Sequence, residues 1–230
     1  MDKLAEYASD NVALRMLLQL DPTGIGSALD VYLMDIFDTY KKRRARDFFT
    51  KIATGNVIIT KEMIDSDDFL FAFFSTTNSV LTTNKKEKID LFANLFIHGV
   101  TTGEYNSTKY EQYLSIVDEI TFLELQILEI LYRYERENED LKVGLASDGP
   151  ISNILQKADT FWSKFEDDVE QIYKIQPDIL QGMLTRLNRT GLYETIVGSF
   201  FDYTGGRGYT TSLYNDFRQW VIGNKSENSQ

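Results

Sequence analysis

Proline stands at only three positions of this chain, Pro22, Pro150 and Pro177. A proline inside a helix removes a backbone donor and clashes with the preceding turn, so long stretches without one are free to run as helix. Asp21-Pro22-Thr23-Gly24 ends a first helix over about residues 2–19, and a second begins near residue 25. In it Ile25, Leu29, Tyr32, Leu33, Ile36, Phe37 and Tyr40 recur at the three-and-four spacing of one helical face.

The same periodicity continues downstream. DSDDFLFAFFSTTNSVL opens with capping residues and reads on as a buried helix, and Ile89, Phe92, Ala93 and Phe96 then mark one face of KKEKIDLFANLFIHGV. Tyr110, Tyr113, Leu114 and Val117 mark another. Residues 119–134 are apolar on most sides, as a central helix is, and the acidic run ERENED is its solvated end. The chain turns at 147–152, with Pro150 at a helix start and an interruption expected near Asp159. Pro177 opens a further helix striped by Leu180, Met183, Leu184 and Leu187, with Gly191 placed as its C-terminal cap.

Only then does the pattern change. TIVGSFFDY is rich in β-branched and aromatic residues and reads as a strand; TGGRG is a turn, YTT a return strand, SLYNDFRQWVI a closing helix, and NKSENSQ a polar tail. The expected fold is mainly α: an N-terminal helical bundle over 1–117, a C-terminal module with one β-hairpin over 118–223, and a flexible tail over 224–230.

The order of Pro-started helix, strand, glycine turn, strand and closing helix resembles a winged-helix domain. The matching residues are Leu184, Leu187, Gly191 and Leu192, then Gly205, Gly206 and Gly208, then Tyr209-Thr210-Thr211 leading into Leu213, Tyr214 and Phe217. The resemblance implies that the helix before the hairpin is a recognition helix and the glycine turn a wing tip. Arg186, Arg189 and Arg207 would then face phosphates, with Thr185 and Asn188 near base edges. The same residues have a structural reading, in which glycine supplies a turn, the aromatics pack the hairpin and the arginines keep a surface solvated. Winged helices also serve as dimerisation or protein-docking modules. The N-terminal half, on Pro22, residues 24–29 and residues 87–96, looks like uncharacterised helical proteins of bacteria or phage, which implies that origin and no activity.

Charge weighs between these readings. With 24 basic and 35 acidic residues the chain carries −11, which repels a phosphate backbone at long range. The basic run Lys41, Lys42, Arg43, Arg44 and Arg46 is the strongest exception. It is either a phosphate contact or a solvated helix end that complements the C-terminal dipole. Arg44 falls on the apolar stripe four residues after Tyr40, so the helix is expected to leave the body there or bend.

Enzymatic chemistry finds no support. There is no cysteine, and the single histidine, His98, has neither metal-ligand spacing nor a nucleophile elbow to serve. The acidic groups Asp65-Asp67-Asp68 and Glu166-Asp167-Asp168-Glu170 read as helix-dipole acids and a wet face. No catalytic, metal or cofactor site is expected, and no membrane span. The expectation is a non-enzymatic cytoplasmic protein acting through protein contacts or self-association. The alternative is a nucleic-acid-binding regulator using the hairpin module and residues 41–46.

Overall fold

The structure, a computed structural model, describes residues 26–55, 57–83, 85–138, 149–196 and 206–223, with the side chains of 26–36 and 149–157 left aside. The expected first helix at 2–19, the break at Pro22, the stripe side chains before Phe37, the strand residues 197–203, the start of the glycine turn and the polar tail lie outside the described residues. So do the last residues of the acidic run and the first of the turn at 147–152.

The described chain is mainly helical, with one small antiparallel sheet near its C-terminal end. Helix α1 spans Gly26–Thr54, the short α2 spans Lys61–Ile64, and α3 spans Asp67–Thr82. Then follow α4 (Lys86–Thr102), α5 (Thr108–Glu119), α6 (Phe122–Glu137), α7 (Gly149–Tyr173) and α8 (Pro177–Asn188). Strands β1 (Tyr193–Thr195) and β2 (Gly208–Thr210) pair before the closing helix α9 (Ser212–Val221).

Helix α4 is the hub of the first half. Its predicted face, Ile89, Phe92, Ala93 and Phe96, is fully buried, and α1, α3, α5 and α9 all pack against it. Phe96 meets the rings of Phe48, Phe69 and Phe73 at 5.8–6.1 Å, an aromatic centre shared by α1, α3 and α4. Helix α1 keeps to this body through Arg44, against the expectation, because Phe48 and Ile52 continue the stripe into the core. Arg44 is itself only 8% exposed, its guanidinium 4.3 Å over the Tyr40 ring. Helix α3 departs from the expectation in the other direction. Phe69, Ala72 and Phe73 are buried, but Phe71 and Phe74 face outward.

Three further departures have local causes. The continuous apolar run at 119–134 is two elements, because Ile120 is extended and Thr121 caps α6. The Thr121 hydroxyl accepts from the Glu124 N–H, while the Glu124 carboxylate accepts from the Thr121 N–H at 2.8 Å. Helix α7 runs through Asp159 without interruption. The first strand starts earlier than expected, at Tyr193, in register Tyr193 with Thr210 and Thr195 with Gly208.

The C-terminal elements close on α6 and α4. Pro177 occupies the first turn of α8, where its missing N–H costs nothing, and Gly191 leaves the helix at φ 77°, a left-handed turn that a side chain resists. Helix α9 buries Tyr214, Phe217, Trp220 and Val221. It is tied to α4 by the Asn94 amide, which donates to the Val221 carbonyl at 2.8 Å.

Candidate functional site

The central helix α6 positions the C-terminal elements with three carboxylates. Glu124, in its first turn, is 1% exposed and accepts from both Nε and NH2 of Arg186 on α8. Glu129, one turn and a half further on, accepts from the Tyr214 hydroxyl and, at 2.8 Å, from Nε of Arg218, both on α9. Glu135, near the C-terminal end, accepts from the backbone N–H of Thr210 at 2.8 Å and from the Thr210 hydroxyl, both on β2. Each tether crosses at least 62 residues of chain. The sequence reading of Glu135 as part of a solvated helix end is thereby corrected: its carboxylate caps a strand edge.

The surroundings set the ionisation of these groups. Burial works to raise the Glu124 carboxyl, and the bonds from Arg186 and Thr121 outweigh it and hold it below the ordinary range. Among the described residues Glu135 has two neutral donors and no cation to offset its burial, so its carboxyl is pushed up to about 7. Burial lifts the Tyr214 hydroxyl well above its usual value, with the Glu129 charge acting the same way.

The predicted nucleic-acid contacts lie on α1 and on the C-terminal elements, and several of them are engaged by the protein's own groups. On the C-terminal side, Arg186 is joined to Glu124, Arg189 lies 3.5 Å from Glu119, and Arg207 pairs with Asp159 of α7. Thr185 turns its hydroxyl back to the Gln181 carbonyl at 2.8 Å, and Asn188 is exposed in the last turn of α8. On α1, Lys42, Arg43 and Arg46 are exposed, whereas Lys41 lies 4.2 Å over the Phe37 ring and Arg44 is buried.

Between the start of α4, the α5–α6 corner and α8 runs an open groove of about 970 Å³. Phe122, Leu123, Ile179 and Met183 give it apolar walls, and Lys88 and Arg186 reach its polar side. Arg186 is engaged as above and Lys88 donates from Nζ to the Asp118 carbonyl at 2.9 Å, while the exposed Lys85 also lines the groove. Burial lowers the Lys88 ammonium despite the nearby Asp118 and Glu124 charges.

His98 lies where α4 meets α9, its ring 4.4 Å from that of Trp220. Beside it Asp216 accepts from the Tyr113 hydroxyl at 2.8 Å and pairs with Lys109, whose Nζ lies 5.3 Å over Trp220. Burial lowers the His98 imidazole, so its neutral form prevails at neutral pH. These contacts pack a helix interface. Among the described residues no group of three or more His, Asp or Glu is placed to hold a metal ion, and no helix is long and apolar enough to cross a membrane.

A further feature is the group of exposed apolar side chains on the N-terminal half. Phe71 is 61% exposed and Phe74 40%, one helical turn apart on α3, and Ile64 of the adjoining α2 is 50% exposed. Ile58 and Ile59, in the segment leading into α2, are exposed as well. No protein-family model, no curated protein and no solved structure matches the chain.

Proposed function

We propose that this chain is a non-enzymatic interaction protein that works through protein contacts made by its N-terminal helices, with a winged-helix-like C-terminal module used for docking rather than for reading nucleic acid. The observation that carries this reading is the outward pair Phe71 and Phe74, two large rings left in water by a helix that buries Phe69, Ala72 and Phe73 beside them. What supports docking over base reading is the state of the module's arginines: Arg186, Arg189 and Arg207 are all spent on the protein's own acids. A phosphate would have to displace a carboxylate at each.

A second reading, a nucleic-acid-binding regulator, is favoured by the exposed cations Lys42, Arg43 and Arg46 on α1.

The test places a photo-reactive phenylalanine analogue at position 71 or 74, with a control at the exposed Thr102 at the end of α4, outside the docking module, in cells that make the protein. Cross-links to protein at 71 and 74 but not at 102 are expected. Their absence would overturn the reading. Anisotropy of labelled duplex DNA and RNA that rises with the wild-type chain, and fails to rise with Lys42, Arg43 and Arg46 changed to Glu, would put the regulator in its place.

A further inference from the structure

The chemistry around Phe71 and Phe74 specifies what can cover them. From residue 57 to 83 the chain carries one base, Lys61, against Glu62, Asp65, Asp67 and Asp68, and all four acids precede the exposed rings. Asp67 falls on the same face of α3 as Phe71 and Phe74, at positions i, i+4 and i+7, and about 10 Å of helix axis separates it from Phe74. Glu62, Asp65 and Asp67 are exposed, and among the described residues no ion pair engages them. Asp68 is held aside by the Asn106 amide at 3.1 Å. Backbone and Thr60 hydrogen bonds hold the Glu62 carboxyl below its ordinary range.

We infer that this face docks a cationic amphipathic segment of a partner protein, apolar side chains on Phe71, Phe74 and Ile64, and lysines or arginines opposite Glu62, Asp65 and Asp67. Charge complementarity chooses this occupant. A second copy docking by this same face would bring the same acids to an acidic rim, and a nucleic acid would bring phosphates. A neutral apolar segment would cover the rings and leave the three carboxylates without counter-charge. Lysine and arginine suit the junction because their aliphatic stems lie along apolar surface while the charged ends reach the acids. An amphipathic helix of two to three turns has the length this strip offers.

This inference rests on the protein-contact reading above, and its test separates the two. The full chain is titrated into a fluorescein-labelled helical peptide of about 18 residues built from Leu and Lys, and into its Leu and Glu counterpart. Anisotropy is read at low and physiological salt. The Leu/Lys peptide is expected to bind, roughly tenfold or more weaker to Phe71→Ser/Phe74→Ser. Binding to Glu62→Gln/Asp65→Asn/Asp67→Asn is expected to be several-fold weaker, with a shallower salt dependence. The Leu/Glu peptide is expected not to bind. Circular dichroism should keep its helical signature in both variants, with Tm lowered by a few degrees at most, because Phe74 gives up its 5.5 Å contact with the Phe73 ring and Asp67 its charge in the first turn of α3. Equal binding by Phe71→Ser/Phe74→Ser would reduce the effect to general attraction by an acidic chain and overturn the inference. Absence of binding, or binding of the Leu/Glu peptide, would overturn it too. Self-association of the wild type that Phe71→Ser/Phe74→Ser abolishes, without peptide binding, would make the occupant a second copy. Protein cross-links at 71 and 74 with no Leu/Lys binding would leave the protein-contact reading standing and remove this one.

Discussion

Replacing Arg186 by Met should unmake the fold locally rather than weaken a ligand. The substitution keeps most of the aliphatic stem and removes both donors to Glu124, a carboxylate that is 1% exposed. Oε2 of Glu124 would keep Thr121, while Oε1 would lose the one donor described for it. Orphaning a fully buried ion typically costs about 3–5 kcal/mol. The Arg186 side chain is 46% exposed, so water reaches the pair and the expected loss is about 2–3 kcal/mol. For a chain of this size that lowers Tm by about 4–12 °C. The pH dependence gives a sharper test. In the wild type the Glu124 carboxyl lies below its ordinary value, so its stabilisation is present at neutral pH and persists until the pH falls through that lowered value. In Arg186→Met the buried orphan is raised above its unfolded value, so the penalty is greatest at pH 7 and shrinks toward pH 4 as the carboxyl takes a proton. Glu124→Gln combined with Arg186→Met should recover most of the loss, a coupling that a double-mutant cycle measures. Thermal melts of the four proteins at pH 7 and pH 4 decide the matter. An unchanged Tm in Arg186→Met, or a loss equal at both pH values, would refute the structural role and return Arg186 to the surface as a ligand contact.

Two further expectations concern the hairpin. Because the folded Glu135 carboxyl is raised to about 7, its contribution is complete below the unfolded value near 4.5 and fades as pH rises through 7; the wild type should lose about 2–3 kcal/mol between pH 5 and pH 8 from this group. Denaturant titrations should show that slope flattened in Glu135→Gln, and an unaltered slope would mean the carboxyl titrates elsewhere. A methyl group on Gly208 would meet the Glu194 carbonyl oxygen at 2.2 Å and the end of the buried Tyr193 ring at 2.3 Å, so Gly208→Ala should cost about 2 kcal/mol or more and lower Tm by several degrees, and an unchanged melt would show that β1 and β2 part easily.

The sequence made plain what a single period can encode. Ile89, Phe92, Ala93 and Phe96 recur at i, i+3, i+4 and i+7 with Asp90 and Asn94 between them, and so that face of α4 was readable, whereas the burial of Leu91 and Leu95 beside it was not. In α3 the run FLFAFF is apolar on every side, which erases the contrast between faces; nothing local distinguishes the buried Phe73 from the exposed Phe74. Thr121 and Glu124 do carry a readable capping box, hidden by the apolar continuity of Ile120, Phe122 and Leu123 around it. Glu135 had no such signal. Its partner Thr210 is 75 residues away, and an acid followed by more acids reads as a wet helix end until the tertiary fold delivers a strand to it. The same blindness applied to Arg186, whose partner is decided by how α8 crosses α6.

The docking of α9 on α4 bears on how the protein is made. Asn94 waits for a carbonyl 127 positions later, and Tyr113 packs its ring at 5.4 Å against both Phe217 and Trp220. A growing chain emerges in order, so the N-terminal helices must stand with that aromatic seat open until residues 212–221 arrive. Loop closure over such a span is slow compared with local helix formation. The nascent chain therefore presents sticky, half-finished surface from the completion of α5 until α9 is made, and an early stop codon in that interval would release a chain whose seat stays unsealed.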